Sequence, residues 1–304
     1  MNRHHVFVAF GATFLVLGLL VAFGGGCSCA APHGRWNFGG TPSVDGVDLP
    51  HETTLRLSSP DAPKRIALTF GAAEVVVTGD ASVKGVEAEV KVNEKAPGDA
   101  SLVASDDGFM TKSASGAPVL VSSAKIRVPP GTPVKLHVAV GDVVVSGIAG
   151  VDEVSATSDA GKVSVRGVSE VKRIEARTSI GDVALADAGA CREIALHSDT
   201  GEVRAKGIKG ASRATMKTGV GEVRVETFAA SESLECEAGT GDVRVSDVQT
   251  AKCRLHTGLG DVRAERSTFD DVYAHTGLGD VRLVRCEYKT RDAGTGLGDV
   301  KDTK

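Results

Sequence analysis

From residue 141 onward, apolar and polar positions alternate, and a glycine interrupts the alternation at fixed intervals. Counted from that glycine, positions two and four ahead are apolar: Val143/Val145, Val163/Val165, Val183/Leu185, Val203/Ala205, Val223/Val225, Val243/Val245, Val262/Ala264 and Val281/Leu283. A period of two marks a strand with one buried face. A second alternating set ends three residues before the next glycine, as in Val154-Ala156-Ser158, Ile174-Ala176-Thr178 and Leu234-Cys236-Ala238. The glycine, followed in most copies by an acid and then Val, returns every 20 residues from Gly141 to Gly241 and every 19 thereafter, at Gly260, Gly279 and Gly298. The pattern predicts two short strands and two turns per repeat, with no helical spacing.

One such repeat cannot bury its apolar edge alone. Stacking pairs each strand with its equivalent one rung along, parallel and in register. The expected fold is therefore all-β, a parallel β-solenoid with rungs of about 20 residues and like positions about 4.8 Å apart. Roughly eight rungs give a rod on the order of 40 Å long. A thin core of Val, Ala, Ile, Leu and Thr suits a chain with only 4% aromatic residues. The recurring glycines read as corners that need φ > 0, and the second glycines of the later corners (Gly219, Gly239, Gly258, Gly277, Gly296) read the same way. The Ser and Thr residues beside them predict a hydroxyl ladder inside the corner.

The corner Thr-Gly-Leu-Gly-Asp occurs three times, at 257–261, 276–280 and 295–299, and the run Val128-Pro129-Pro130-Gly131-Thr132 leads into the repeats. In these features residues 64–304 resemble the bacterial "putative adhesin" family of β-strand-repeat proteins, a module also similar to one in envelope-stress proteins of Gram-positive bacteria. The resemblance implies an extracytoplasmic or membrane-associated β-solenoid. It brings no catalytic residues with it.

The start of the chain differs. Arg3 precedes an uncharged run over 6–23, and Gly24-Gly25-Gly26 follows. The run reaches membrane-spanning length. Residues 1–27 are expected to form a retained signal anchor; a cleaved signal peptide or lipidation at Cys27 are the alternatives. Cys27 and Cys29 lack a second pair for a metal clip. Residues 28–50, rich in Gly, Pro and small side chains, read as a flexible linker, in which Trp36 and Phe38 are candidates for the membrane interface. Residues 51–140 read as irregular rungs and an N-terminal cap, or else as a small β-sandwich. Glu74-Val75-Val76-Val77-Thr78-Gly79 there is an imperfect copy of 142–147, and 94–117 breaks the pattern as a long loop or hairpin. Residues 141–304 are the regular solenoid.

A net charge of −4 gives no nucleic-acid footprint. Charge is instead organised in outward columns. One is acidic and includes Asp242, Asp261 and Asp280; two residues on runs a basic column, Arg204, Arg224, Arg244, Arg263 and Arg282, then Lys301. Stacked carboxylates could hold Ca²⁺, but the neighbouring bases point to a face that neutralises itself. The arginines are the candidates for gripping anionic envelope polymers or lipid head groups. His256 and His275 share an outward column with Glu237 behind them, the candidate Zn²⁺ position. Cys191, Cys236, Cys253 and Cys286 fall on inward positions, and Cys236 and Cys253 are two residues out of column, about 8 Å apart and too far for a disulfide. Four free core thiols are expected, and no motif calls for a cofactor.

These readings favour a membrane-anchored, extracytoplasmic, non-enzymatic rod for adhesion, scaffolding or envelope sensing. A polysaccharide-active β-helix enzyme is the alternative, needing a cleft that only 94–117 could wall; a calcium-binding surface rod is another. Charged residues at 301–304 argue against a self-assembling filament.

Overall fold

The computed structural model describes residues 42–304, together with the backbone of two short strands, Ser28–Ala31 (β1) and Gly34–Asn37 (β2). Residues 1–27, on which the anchor, signal and Cys27 readings fall, lie outside the described residues, as does Phe38; Cys29 and Trp36 are described only as paired backbone in β1 and β2. Among the described residues no helix is long and apolar enough to cross a membrane. The stretch read as linker carries a small antiparallel meander, in which β2 meets Ser43–Val44 (β3) and β3 pairs with Val47–Asp48 (β4). Leu49 behind it is fully buried with Val44 and Leu120.

The rest is a parallel β-solenoid whose columns follow the sequence pattern. Val75, Val143, Val163, Val183, Val203, Val223, Val243, Val262, Val281 and Val300 pair in one register-true row. Ile66, Val134, Val154, Ile174, Ile194, Ala214, Leu234, Cys253 and Val272 form a second row across the core. Almost all of these side chains are 0–3% exposed. The first rung is thus Ile66–Ala72 (β6) and Glu74–Gly79 (β7), and the imperfect copy at 74–79 is a true rung.

The strand before that rung and the segment between it and the next together close the N-terminal end. His51–Ser59 (β5) and Val86–Glu94 (β8) pair antiparallel, and β8 pairs antiparallel with Leu120–Val128 (β11). β11 then runs parallel to β7. Ala100–Ser105 (β9) and Gly108–Ser113 (β10) form the hairpin inside 94–117. Phe109 and Ala100 from this hairpin join the core. The segment that might have walled a cleft instead packs on the core beside β6. Val134–Val140 (β12) and Val143–Ser146 (β13) begin the regular rungs.

Two left-handed corners recur in every regular rung from Gly141 to Gly279, as expected, and the four rungs opened by Gly141, Gly161, Gly181 and Gly201 add a third. The first is the recurring glycine, with φ between +130° and +150° from Gly141 to Gly298. The second lies six residues on: Gly147, Gly167 and Gly207 are left-handed there, and so are Asp187, Thr227, Asp247, Arg266 and Arg285. A third, nine residues on, is left-handed at Gly150, Glu170, Ala190 and Gly210. The residue just after the second corner points inward, from Ile148 through Phe228 to Cys286. From Val183 the pairing between rungs continues past these corners, so Val183–Thr200, Val203–Val220 and Val223–Thr240 each count as one strand of 18 residues.

The second glycines are a correction. Gly219, Gly239, Gly258, Gly277 and Gly296 do not have left-handed φ; their requirement is steric, because a Cβ there would sit 2.5–2.6 Å from a carbonyl oxygen of the preceding rung.

Candidate functional site: the outward charge columns

The strand geometry that buries the apolar residues at positions two and four of each rung turns positions one and three outward, so each rung from Gly201 onward adds one acid and one base to the surface. Asp142, Asp182, Asp242, Asp261 and Asp280 share an unexpected task. Each offers Oδ1 to the backbone N–H of the same position one rung along, Lys162, Glu202, Asp261, Asp280 and Asp299, at 2.7–2.9 Å. Asp is short enough to reach that N–H. Glu202 and Glu222, one methylene longer, turn to the arginines instead.

The basic column is in register from Arg204 through Arg224, Arg244, Arg263 and Arg282 to Lys301. Every member pairs with an acid. Arg204 meets Glu202 at 2.7 Å, Arg224 meets Glu222 at 2.9 Å, and Arg244 bridges Glu222 at 2.8 Å and Asp242 at 2.6 Å. Arg282 reaches Asp261 at 2.9 Å and also Asp280, and Lys301 lies 3.4 Å from Asp299. Arg263 departs from the pattern by pairing with Glu265 rather than with the column acid. The Asp280 backbone N–H, helped by Arg282, holds the Asp261 carboxyl below its ordinary value, while Glu222 raises Arg244. In Asp242, Asp261 and Asp280 one carboxylate oxygen is engaged by a backbone N–H and the other by an arginine. Among the described residues no group of three or more His, Cys, Asp or Glu is arranged to hold a metal ion.

His256 and His275 are adjacent in one outward column, with Glu237 opposite His256 one rung back. They differ in surroundings. His275 Nε2 lies 2.9 Å from Asp292 Oδ1, and its ring stacks on Tyr273 with centroids 4.1 Å apart. Arg254 sits over the same tyrosine, 4.6 Å from the ring centre. His256 Nδ1 is covered and has no hydrogen-bond partner. Glu237 is turned to Lys217 at 2.8 Å, an ion pair that lowers the carboxyl and raises the amine.

Cys191, Cys236, Cys253 and Cys286 are buried and free. The register sets Cys253 opposite Leu234 and Cys236 opposite Leu255, the two-residue offset expected from the repeat. Burial pushes all four thiols up, most strongly Cys236 and Cys253.

Two features escaped the sequence reading. The first is an exposed aliphatic row on the outer edge of the first corner: Val140, Ile180, Val220, Leu259, Leu278 and Leu297, 44–70% exposed. An apolar residue immediately before most of the corner glycines, with Thr200 and Thr240 the exceptions, was the available signal. The second is an open depression over Gly210, Ala211, Ala230, Thr250 and Phe269, where the repeat shortens from 20 to 19 residues. Its one ionisable lining residue, Asp270, is paired with Lys289 at 2.8 Å. Two converging carboxylates, as glycoside hydrolysis requires, are not present in it.

The family profile described as Toastrack DUF4097 matches residues 121–233 and 211–303. The chain belongs to the Toastrack DUF4097 family. The two overlapping matches fall on the stacked rungs and on β11 leading into them. Similar solved structures include a "putative adhesin" from Bacteroides fragilis, at 13% identity over 83% of this chain and 97% of that one, with a TM-score of 0.43. A "putative lipid binding protein" from Parabacteroides distasonis shares 14% identity over 86% and 98%, with a TM-score of 0.40. A "putative cell adhesion protein" from Clostridium sporogenes shares 12% over 83% and 99%, with a TM-score of 0.29. No curated protein matches this Toastrack chain.

Proposed function

We propose that this Toastrack protein is a non-enzymatic rod of the bacterial cell envelope, anchored to the membrane through its N-terminal segment and displaying the solenoid outside the cytoplasm for adhesion, scaffolding or surface sensing. The observation that carries the reading is the state of the outward columns. Their acids and bases are committed to one another and to the backbone, rung after rung, on an inflexible β framework. Such a face suits weak, repeated contacts rather than chemistry on one substrate. Its ligands are anionic envelope polymers or lipid head groups. Arg204, Arg224, Arg244, Arg263 and Arg282 exchange their intramolecular acids for phosphate or carboxylate of the ligand, since guanidinium binds both in paired fashion.

A binding screen of the full chain against anionic glycans, teichoic-acid-like polymers and anionic vesicles tests this. Replacing the five arginines by serine is expected to lower apparent affinity at least tenfold and to flatten its salt dependence. Equal binding by both proteins would sink the ligand reading. Protease accessibility of the solenoid on intact cells tests the placement, and protection of residues 51–304 until lysis would refute it.

A further inference from the structure

We infer that the exposed aliphatic row on the outer edge of the first corner is an interaction surface for a second copy of this chain. The two copies lie side by side and parallel, each row seated on a glycine strip of the other. The inference stands apart from the ligand reading above. The row is one register-true column: Val140, Ile180, Val220, Leu259, Leu278 and Leu297, with Ala160, Thr200 and Thr240 at the intervening rungs. Six of the nine large apolar side chains that stand exposed among the described residues fall in it. A contiguous apolar patch on an otherwise polar surface marks a place that another surface covers. The rung itself does not require an aliphatic residue here, because Thr200 and Thr240 hold the same position in the same register.

The surroundings of the row select the partner. On one side run the acid and base columns, which cancel: from Glu202 to Lys301 each rung adds one of each. A flank without net charge gives an anionic bilayer none of the hold that basic residues supply. A copy with the same balance brings no excess charge of either sign. On the other side the neighbouring column is Gly219, Gly239, Gly258, Gly277 and Gly296, a strip of bare backbone where a Cβ would strike the preceding rung. A ridge beside a trough fits its own copy under a two-fold axis parallel to the rod. That axis exchanges the two sides and puts each ridge in the partner's trough, whereas an axis across the rod would set ridge against ridge. The parallel contact is isologous and closes on itself, so it makes a dimer and not a fibre. A half-exposed aliphatic side chain leaves about 30–60 Å² of apolar surface. Six give on the order of 200–350 Å² per copy, less than half of the ~800 Å² that each partner buries in a standard interface. The row is thus the apolar core, the columns beside it are the polar rim, and the dimer is weak and concentration-dependent.

The test uses the full chain in a Cys27→Ser/Cys29→Ser background, so that the only thiols outside the core are those introduced. Ile180→Cys and Leu278→Cys are made singly, and oxidative cross-linking is read on non-reducing gels. Each is expected to form a disulfide-linked dimer with itself, because the parallel two-fold brings like rungs together. Thr227→Cys, exposed at the second corner, is expected to form none. Cross-links only in the mixture of the 180 and 278 variants would mean antiparallel copies and overturn the arrangement. Sedimentation velocity then compares wild type with Ile180→Thr/Val220→Thr/Leu259→Thr/Leu278→Thr, the residue that the column already accepts at two rungs. Any association through other parts of the chain is common to both, so the readout is the difference. The threonine variant is expected to associate at least tenfold more weakly, with circular dichroism and thermal melt unchanged. Absence of cross-links at both positions overturns the proposal, as does equal association of the folded threonine variant. Flotation with phosphatidylcholine vesicles that the threonine substitutions abolish, with self-association unchanged, would assign the row to a bilayer and overturn it too.

Discussion

At the scale of single residues, the solenoid is set by which backbone positions tolerate a Cβ. At Gly221 a Cβ would lie 2.1 Å from the carbonyl oxygen of Gly201, and φ is +147°. Strain and clash act together there, so Gly221→Ala is expected to destabilise the fold by about 3 kcal/mol or more, read as a fall in thermal midpoint. The second corner reverses the sign. Thr227 is exposed yet held at φ +53°, a conformation that a β-branched residue rarely adopts. Thr227→Asn is expected to raise stability by about 1 kcal/mol, since Asn tolerates the left-handed region that costs most side chains about 1–2 kcal/mol. A lower melting temperature for this variant would show that the corner is not strained. The hydroxyl column completes the first corner: Ser158, Thr178, Ser198, Thr218, Thr257, Thr276 and Thr295 each donate to the carbonyl of the glycine that opens their own rung, at 2.7–2.9 Å. The expected ladder is present, but its bonds run to backbone and not from hydroxyl to hydroxyl. Ala238 is the one regular position without the donor.

At the scale of elements, the N-terminal excursion hangs on one carboxylate. Glu94 closes β8, is fully buried, and accepts hydrogen bonds from the Thr53 hydroxyl of β5, from Gly98 N at 3.0 Å and from Ala100 N at 2.6 Å. Burial works to raise its pKa, and these donors outweigh it, so the carboxyl sits below its ordinary 4.5. A folded-state value below the unfolded one gives stability that is complete above about pH 4.5 and is lost as pH falls through the folded value. Glu94→Gln is expected to cost about 1–3 kcal/mol at pH 7 and to flatten the stability profile between about pH 5 and 3. An unchanged acid limb in urea titrations across that range would remove Glu94 from the account. None of this was legible in the sequence, because Glu94 has no period and its partners come from β5, some forty residues back, and from the backbone at 98–100. The rungs were legible because Val143, Val163 and their successors repeat a local rule that stacking turns into a global one. The second corner was hidden for a related reason: glycine marks it at Gly147, Gly167 and Gly207, but Asp187, Thr227 and Arg266 adopt the same φ without announcing it. The charge columns could be placed by register alone. The Asp Oδ1 bonds could not, since they depend on a one-methylene difference in reach.

At the scale of the whole molecule, a rod built from near-copies should gain or lose a copy without losing its fold. Energy in such an array is close to a sum of rung terms and nearest-neighbour interfaces. Excising 241–259 joins Thr240 to Gly260 and sets the rung opened by Gly221 directly against the rung opened by Gly260. The Val column is preserved, as are Arg224 beside Arg263 and the core row Leu234, Val272. The hydroxyl of Thr276 still finds the Gly260 carbonyl within its own rung. The shortened chain is expected to keep a β-type circular dichroism spectrum and one cooperative melt, with a midpoint lower by several degrees because one interface is gone. Excising 246–255 instead removes half a rung. It brings outward residues to inward columns, and a slip of this kind turns apolar side chains to solvent. That chain is expected to unfold from the break or to collapse without cooperative melting. The pair of outcomes separates a stack of exchangeable rungs from a globule that merely contains repeats. Two deletions equally damaging would mean that long-range contacts, not neighbouring rungs, hold the rod together.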